Sequence, residues 1–222
     1  MKPNEIADIL LSRKIDCFPR GSVVYGTYEE GVSDCDYLVV VDDSCNTILS
    51  DYQKGEFRFE IIDACQLYKR KIDYMFVTQA NFITSVRNNE IDRLECLFSK
   101  TGKYYSTMFI LDKWKLRKSV SSICSNSWVK AKKKLTVGED YNLRIAQKSL
   151  WHSLRIYMFG IQVARCGSIV DFSEANYLWD EIKNEPNPVW DVYYAKYKPL
   201  FNKLRSELVE LCERPKFDFQ LN

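Results

Sequence analysis

The alternation of apolar and polar positions changes character about halfway along the chain. Up to Phe98 the apolar residues come in short, often β-branched runs bounded by turn residues, the mark of buried strands. Residues 34–41, ending Tyr37-Leu38-Val39-Val40-Val41 and closed by Asp42-Asp43-Ser44, form the clearest run. Residues 56–62 alternate well enough for a second strand, and 71–77 and 15–18 read as two more, the last interrupted by Pro19-Arg20. Residues 4–13 predict a short amphipathic helix capped by Asn4, with Ile6, Ile9 and Leu10 on one face. Val23-Val24-Tyr25 predicts a helical turn, 27–32 a polar loop, 42–55 a loop, 66–70 a turn or short helix, and Thr78 precedes a helix start at Gln79. From Leu111 onward helical periodicity takes over, over 111–134, 140–165, 173–183 and 190–213. Gly138 and Gly167 punctuate the first two helices, Asn184-Glu185-Pro186-Asn187-Pro188 separates the last two, and 214–222 reads as a tail. The expectation is an α+β chain: an α/β domain with a mixed sheet over about 1–105, then a helical domain over 106–222.

Composition adds bounds. The 222 residues are 46% hydrophobic, 14% aromatic and 28% charged, enough to fill a core and ordinary for a soluble protein. No apolar stretch approaches the roughly 20 residues that span a bilayer, and the first residues lack a signal-peptide plan. The eight cysteines form no Cys-x-x-Cys pair and there is one histidine, which argues against zinc and for free thiols in a reducing cytoplasm. Charge is uneven: residues 1–100 hold 12 basic against 17 acidic residues, and 112–155 hold 11 against 3. An acidic half beside a basic stretch suits a phosphate-rich partner, although solvated lysines on a helix give the same count.

The candidate chemistry sits at the start of the clearest strand. Strand side chains alternate, so Asp34 and Asp36 share a face, their Cα atoms roughly 6.5 Å apart. Two such carboxylates can converge on a hard cation such as Mg²⁺, which takes oxygen ligands from carboxylates, phosphates and water. Gly21 lets backbone approach a ligand closely, and the Ser22 hydroxyl can hold a phosphate oxygen.

The string Gly21-Ser22-Val23-Val24-Tyr25-Gly26-Thr27, then Gly31-Val32-Ser33-Asp34-Cys35-Asp36-Tyr37, resembles the DNA polymerase β-like nucleotidyltransferase superfamily, and most of all its small predicted nucleotidyltransferases, some of them associated with RNA repair and RNA ligases. The likeness extends more loosely to Phe98. It implies a Mg²⁺-dependent transfer, with Mn²⁺ as a substitute, of a nucleoside monophosphate from a nucleoside triphosphate to an acceptor hydroxyl. It implies Asp34, Asp36 and a third carboxylate as catalytic, metal-binding residues, and Gly21 and Ser22 as phosphate contacts. The third carboxylate is assigned by the match to Asp73, with Glu60 and Asp63 as rivals because 56–62 could equally neighbour the Asp34 strand. Two departures stand out: Pro19 just before the Gly-Ser, and Val23 where relatives often carry a basic residue, a role for which Arg20 is a substitute.

In the second long helix Arg144, Lys148, His152 and Arg155 fall at i, i+4, i+8 and i+11 and share a face, opposite Leu143, Leu150, Leu154 and Tyr157. Such a stripe suits a triphosphate or nucleic-acid backbone, and the resemblance implies nucleotide binding there. His152 reads equally well as a core histidine. Lys130, Lys132, Lys133 and Lys134 are phosphate contacts or solvated lysines, and Trp114, Trp128, Trp151, Trp179 and Trp190 read as packing residues. The first choice of acceptor is an RNA or tRNA end, then a protein hydroxyl as in nucleotidylylating antitoxins, then a small molecule. A non-catalytic module binding a nucleotide or partner protein competes with these, and the clustered carboxylates argue against it.

Overall fold

The protein is described here from a computed structural model covering residues 1–63, 70–99 and 102–213. The fold is α+β, and the chain divides into two compact units, Met1–Ile110 and Leu111–Asn222.

In the first unit α1 (Pro3–Ser12) leads into β1 (Lys14–Arg20), a single turn α2 (Ser22–Tyr25), β2 (Cys35–Val41), a short α3 (Asn46–Leu49), β3 (Phe57–Asp63) and β4 (Arg70–Thr78), followed by α4 (Gln79–Arg87) and α5 (Ile91–Phe98). The strands form a mixed sheet in the order β1-β2-β4-β3. β2 and β4 run parallel at its centre, and β1 and β3 flank them antiparallel. Leu38 to Val41 are wholly buried, because helices cover both faces of the central strands and apolar side chains are favoured on each. One face packs Val39, Val41, Phe57 and Phe76 against Ile6, Ala7 and Leu10 of α1. On the other, Phe18 stacks on Phe82 of α4 at 5.3 Å, and Tyr105 meets both rings edge-on.

Local chemistry explains where several elements differ from expectation. α1 starts at Pro3, whose missing N–H costs nothing in a first turn, and Glu5 accepts the Lys2 backbone N–H at 2.9 Å, so Asn4 lies inside the helix and does not cap it. β1 runs through Pro19 to Arg20, a proline tolerated on a strand paired on one side. The 42–55 stretch folds into a 3-10 turn and α3, burying Cys45 and Leu49. Thr78 caps α4 by accepting the Asn81 N–H at 3.2 Å. The turn expected over 66–70, Arg70 excepted, and the tail from Arg214 lie outside the described residues.

The second unit packs α6 (Lys113–Thr136), α7 (Leu143–Cys166), α8 (Asn176–Lys183) and α9 (Trp190–Leu211). Asp112 caps α6, accepting the N–H groups of Trp114 and Lys115 at 3.0 Å, and Asn142 caps α7 through the Ile145 N–H at 3.0 Å. α7 is central: residues 153–164 are buried all round, so its expected division into a charged and an apolar face holds only near its start. Trp128 packs on Trp190 and Phe201, and Trp151 packs on Trp179 while donating its indole N–H to the Ala175 carbonyl at 2.8 Å. Trp114 departs from the packing role expected of it and is 51% exposed.

Gly160 marks the closest approach of α6 to α7: a Cβ there would lie 2.8 and 3.0 Å from the two methyls of Val120. Alanine would gain about 1 kcal/mol in helix propensity, but overpacking against a β-branched neighbour costs about 1–3 kcal/mol. Gly160→Ala is therefore expected to lower stability in urea titration followed by tryptophan fluorescence, and Val120→Ala in the same chain should recover part of the loss.

Candidate functional site

Register brings the acidic residues of the first unit together. In the β1–β2 ladder Arg20 is opposite Asp36, in β2–β4 Asp36 is opposite Asp73, and in β3–β4 Asp73 is opposite Glu60. Residues directly opposite one another share a face of the sheet, so Arg20, Asp36, Asp73 and Glu60 form one row across four strands. It lies at the amino ends of the parallel strands, one row beyond Phe18, Leu38 and Met75.

Of the rival third carboxylates, Asp73 stands beside Asp36, about 4.8 Å away at Cα as neighbouring strands are. Glu60 is one strand further out, where it accepts from Lys71 Nζ at 2.7 Å. Asp63 ends β3 opposite Arg70, three positions along from Glu60. Asp34 is exposed and precedes the first paired residue of β2, whereas Asp36 and Asp73 are partly buried. Burial pushes the Asp73 carboxyl above its ordinary value; Arg58 and Lys71 work against that shift, and Glu60 and Asp34 add to it. Lys71 is held protonated by its hydrogen bond to Glu60 and by the charges of Glu60, Asp34 and Asp73.

Gly21 closes the site from the β1 side. Its φ is +67°, and a Cβ there would lie 2.5 Å from Asp36 Oδ2. A side chain would be excluded twice over, by backbone conformation and by the carboxylate. The Gly21 carbonyl then accepts the N–H groups of Val24 and Tyr25, starting α2 with Ser22 as its first residue.

Among the described residues no three His, Cys, Asp or Glu side chains stand together as a ready-made metal cage. The neighbouring carboxylates of Asp36 and Asp73 fit the smaller share a protein commonly gives Mg²⁺, one or two carboxylates with phosphates and water completing the shell.

The stripe on α7 belongs to the second unit and is not uniform. Arg144 and Lys148 are exposed, His152 is partly buried and Arg155 is 4% exposed. The Arg155 guanidinium lies 4.4 Å from the centre of the Trp151 ring and donates from Nη2 to His152 Nδ1 at 2.8 Å. An arginine can only donate, so Nδ1 is an acceptor and the imidazole proton sits on Nε2. Within the lysine cluster, Lys133 and Lys134 both bind Asp140 in the turn after α6, while Lys130 and Lys132 are exposed.

Sequence reasoning missed three residues near the row. Lys71 is two positions before Asp73 on the same strand face, a spacing that flags it. Tyr25 donates its hydroxyl to Glu95, and both are buried. Glu95 gave a weaker signal, an acid enclosed by Leu94, Cys96 and Leu97 in a short helix.

No family model matches the sequence, and no curated protein matches it.

Two outcomes follow. Gly21→Ala should lose about 1–3 kcal/mol of stability to backbone strain and displace the Asp36 carboxylate, seen as a shift of its carboxyl resonance in NMR. Asp73 has a raised folded-state pKa, so its ionised form is disfavoured by folding, and stability falls as pH rises through that pKa. Asp73→Asn should therefore be more stable than wild type at neutral pH, with the difference closing as pH is lowered through the raised value.

Proposed function

We propose that the chain is a nucleotidyltransferase of the DNA polymerase β-like type, moving a nucleoside monophosphate from a nucleoside triphosphate to an acceptor hydroxyl. The observation that carries the reading is the pairing of Asp36 with Asp73 on adjacent parallel strands, with Gly21 lying against Asp36. Carboxylates set side by side repel, and a row that concentrates them has a use when it meets a polyphosphate and its cations.

In this reading the acceptor oxygen bonds to the α-phosphorus, the bond to the bridging oxygen breaks and pyrophosphate leaves. Asp36 and Asp73 would hold Mg²⁺, or Mn²⁺ in its place, with Asp34 reaching it from the exposed segment before β2, and the ion's bound contribution is to neutralise charge on the phosphates in an in-line displacement. Asp73, its carboxyl pushed up by burial, accepts the proton of the attacking hydroxyl. Gly21 backbone and Ser22 hydroxyl hold the outer phosphates. Arg144 and Lys148, exposed on α7 of the second unit, suit the phosphates of the acceptor. Arg155, stacked on Trp151 and bonded to His152, serves by fixing the helix around those two cations. The favoured acceptor is an RNA or tRNA end, supported by the basic excess over 112–155 and the exposure of Lys130 and Lys132.

Incubation with each nucleoside triphosphate, radiolabelled at the α-phosphate, and a total RNA and protein extract tests the reading. Wild type should place ribonuclease-sensitive label in RNA, and the Asp34→Ala/Asp36→Ala variant should place none. Equal labelling by the two proteins would refute the assignment; label resistant to ribonuclease but removed by protease would move the acceptor to protein. Transfer to RNA should also weaken steeply with added salt, as counterion release is suppressed.

A further inference from the structure

A single helical turn such as α2 has too few hydrogen bonds to hold itself, so something else must fix the backbone that lies against Asp36. The fixing points are at both ends of the segment. At one end Arg20, the residue before Gly21, extends its guanidinium beneath the carboxylate row, where it donates to Met75 Sδ at 3.4 Å. Burial there works against its charge, and the carboxylates of Asp92 and Glu95 nearby favour it. At the other end Tyr25 is 5% exposed and donates its hydroxyl to Glu95, itself 7% exposed. A carboxylate buried so deeply is retained only with hydrogen-bonded and charged partners, and Tyr25 and Arg20 supply both kinds. α5 itself is tied down through Arg93, 3% exposed, which binds Asp92 beside it and Glu56 at the start of the β3 hairpin.

We propose that Arg20, bonded to Met75 of β4 at one end, and Tyr25, bonded to Glu95 of α5 at the other, form a frame that clamps both ends of the Gly21–Tyr25 segment and so holds Gly21 and Ser22 at a fixed distance from Asp36, which makes Tyr25 and Glu95 positioning residues for the nucleotide phosphates. The second half of this claim rests on the nucleotidyltransferase reading; the frame itself does not. None of the three side chains belongs to the carboxylate set, so loosening the frame spares the reacting groups and degrades the place where phosphate is received. The frame also accounts for Arg20, which stands where a phosphate-binding cation was sought: its guanidinium points into the sheet–α5 layer and supports the turn from below.

The test uses Tyr25→Phe, which keeps the buried ring and removes the bond, with Glu95→Gln as a second variant should the first fail to fold. Hydrogen exchange is followed at the amides of Val24, Tyr25 and Thr27, which donate to Gly21 and Ser22 carbonyls. Exchange there should accelerate by about tenfold, the worth of one buried bond to a charged group, while the amides of Leu38 to Val41 stay unchanged. Unchanged exchange at the segment overturns the frame. In the transfer assay the KM for ATP, or for whichever nucleoside triphosphate wild type uses, should rise by a similar factor with kcat nearly constant. An unaltered KM in an active enzyme overturns the positioning role, and so does a fall in kcat alone. Should wild type transfer no nucleotide, the functional reading fails by itself, and the exchange result still decides whether the frame exists.

Discussion

The pairing of β2 with β4 is the constraint on which the site depends. Parallel register sets Asp36 opposite Asp73, and the antiparallel flanks extend the row to Arg20 and Glu60. A slip of one residue would turn each acid to the α1 face and place apolar side chains at the strand ends, so burial of Leu38, Val40 and Phe76 enforces the chemistry as well as the fold. The cost of neighbouring like charges is offset locally by Arg58 and Lys71 around Asp73. Burial still holds the Asp73 carboxyl above its ordinary value.

Much of the first unit was legible in the sequence. The β-branched run after Asp36 can be little else than a central strand, whereas Asp34, expected on the same strand face as Asp36, precedes β2 and is exposed, so alternation does not place it. What the sequence left open was which strand neighbours it: 56–62 and 71–77 both read as strands, and strand order is decided by tertiary packing. Parallel pairing of β2 with β4 resolves this in the structure, leaving Glu60 one strand further out and joined to Lys71. Small boundary errors had local causes. Pro3 and Glu5 start α1 before Asn4, and Pro19 stays within β1, which is paired on one side, to β2.

The helical unit shows why periodicity alone misjudges a central helix. Four cations at helical spacing suggest one solvated stripe, yet α7 is enclosed over 153–164, and Arg155 is drawn inward onto Trp151 and His152. A guanidinium can be buried in this way because its flat face stacks on an indole while its edge donates. The stripe therefore divides into an exposed half, Arg144 and Lys148, fit to meet an anion, and an inner half that helps shape the helix. The basic excess over 112–155 is likewise partly spent within the unit, on Asp140. The described cysteines are free thiols, and among the described residues no helix is long and apolar enough to cross a membrane.

The central claim is that Asp36 and Asp73 form one cation-binding edge. The most direct measurement is an electron paramagnetic resonance titration of Mn²⁺ in the presence of a non-hydrolysable nucleoside triphosphate, comparing wild type with Asp36→Asn and Asp73→Asn. Saturable, nucleotide-dependent binding in wild type that is lost in both variants is the result this account predicts. Equal binding by wild type and the two variants would contradict it.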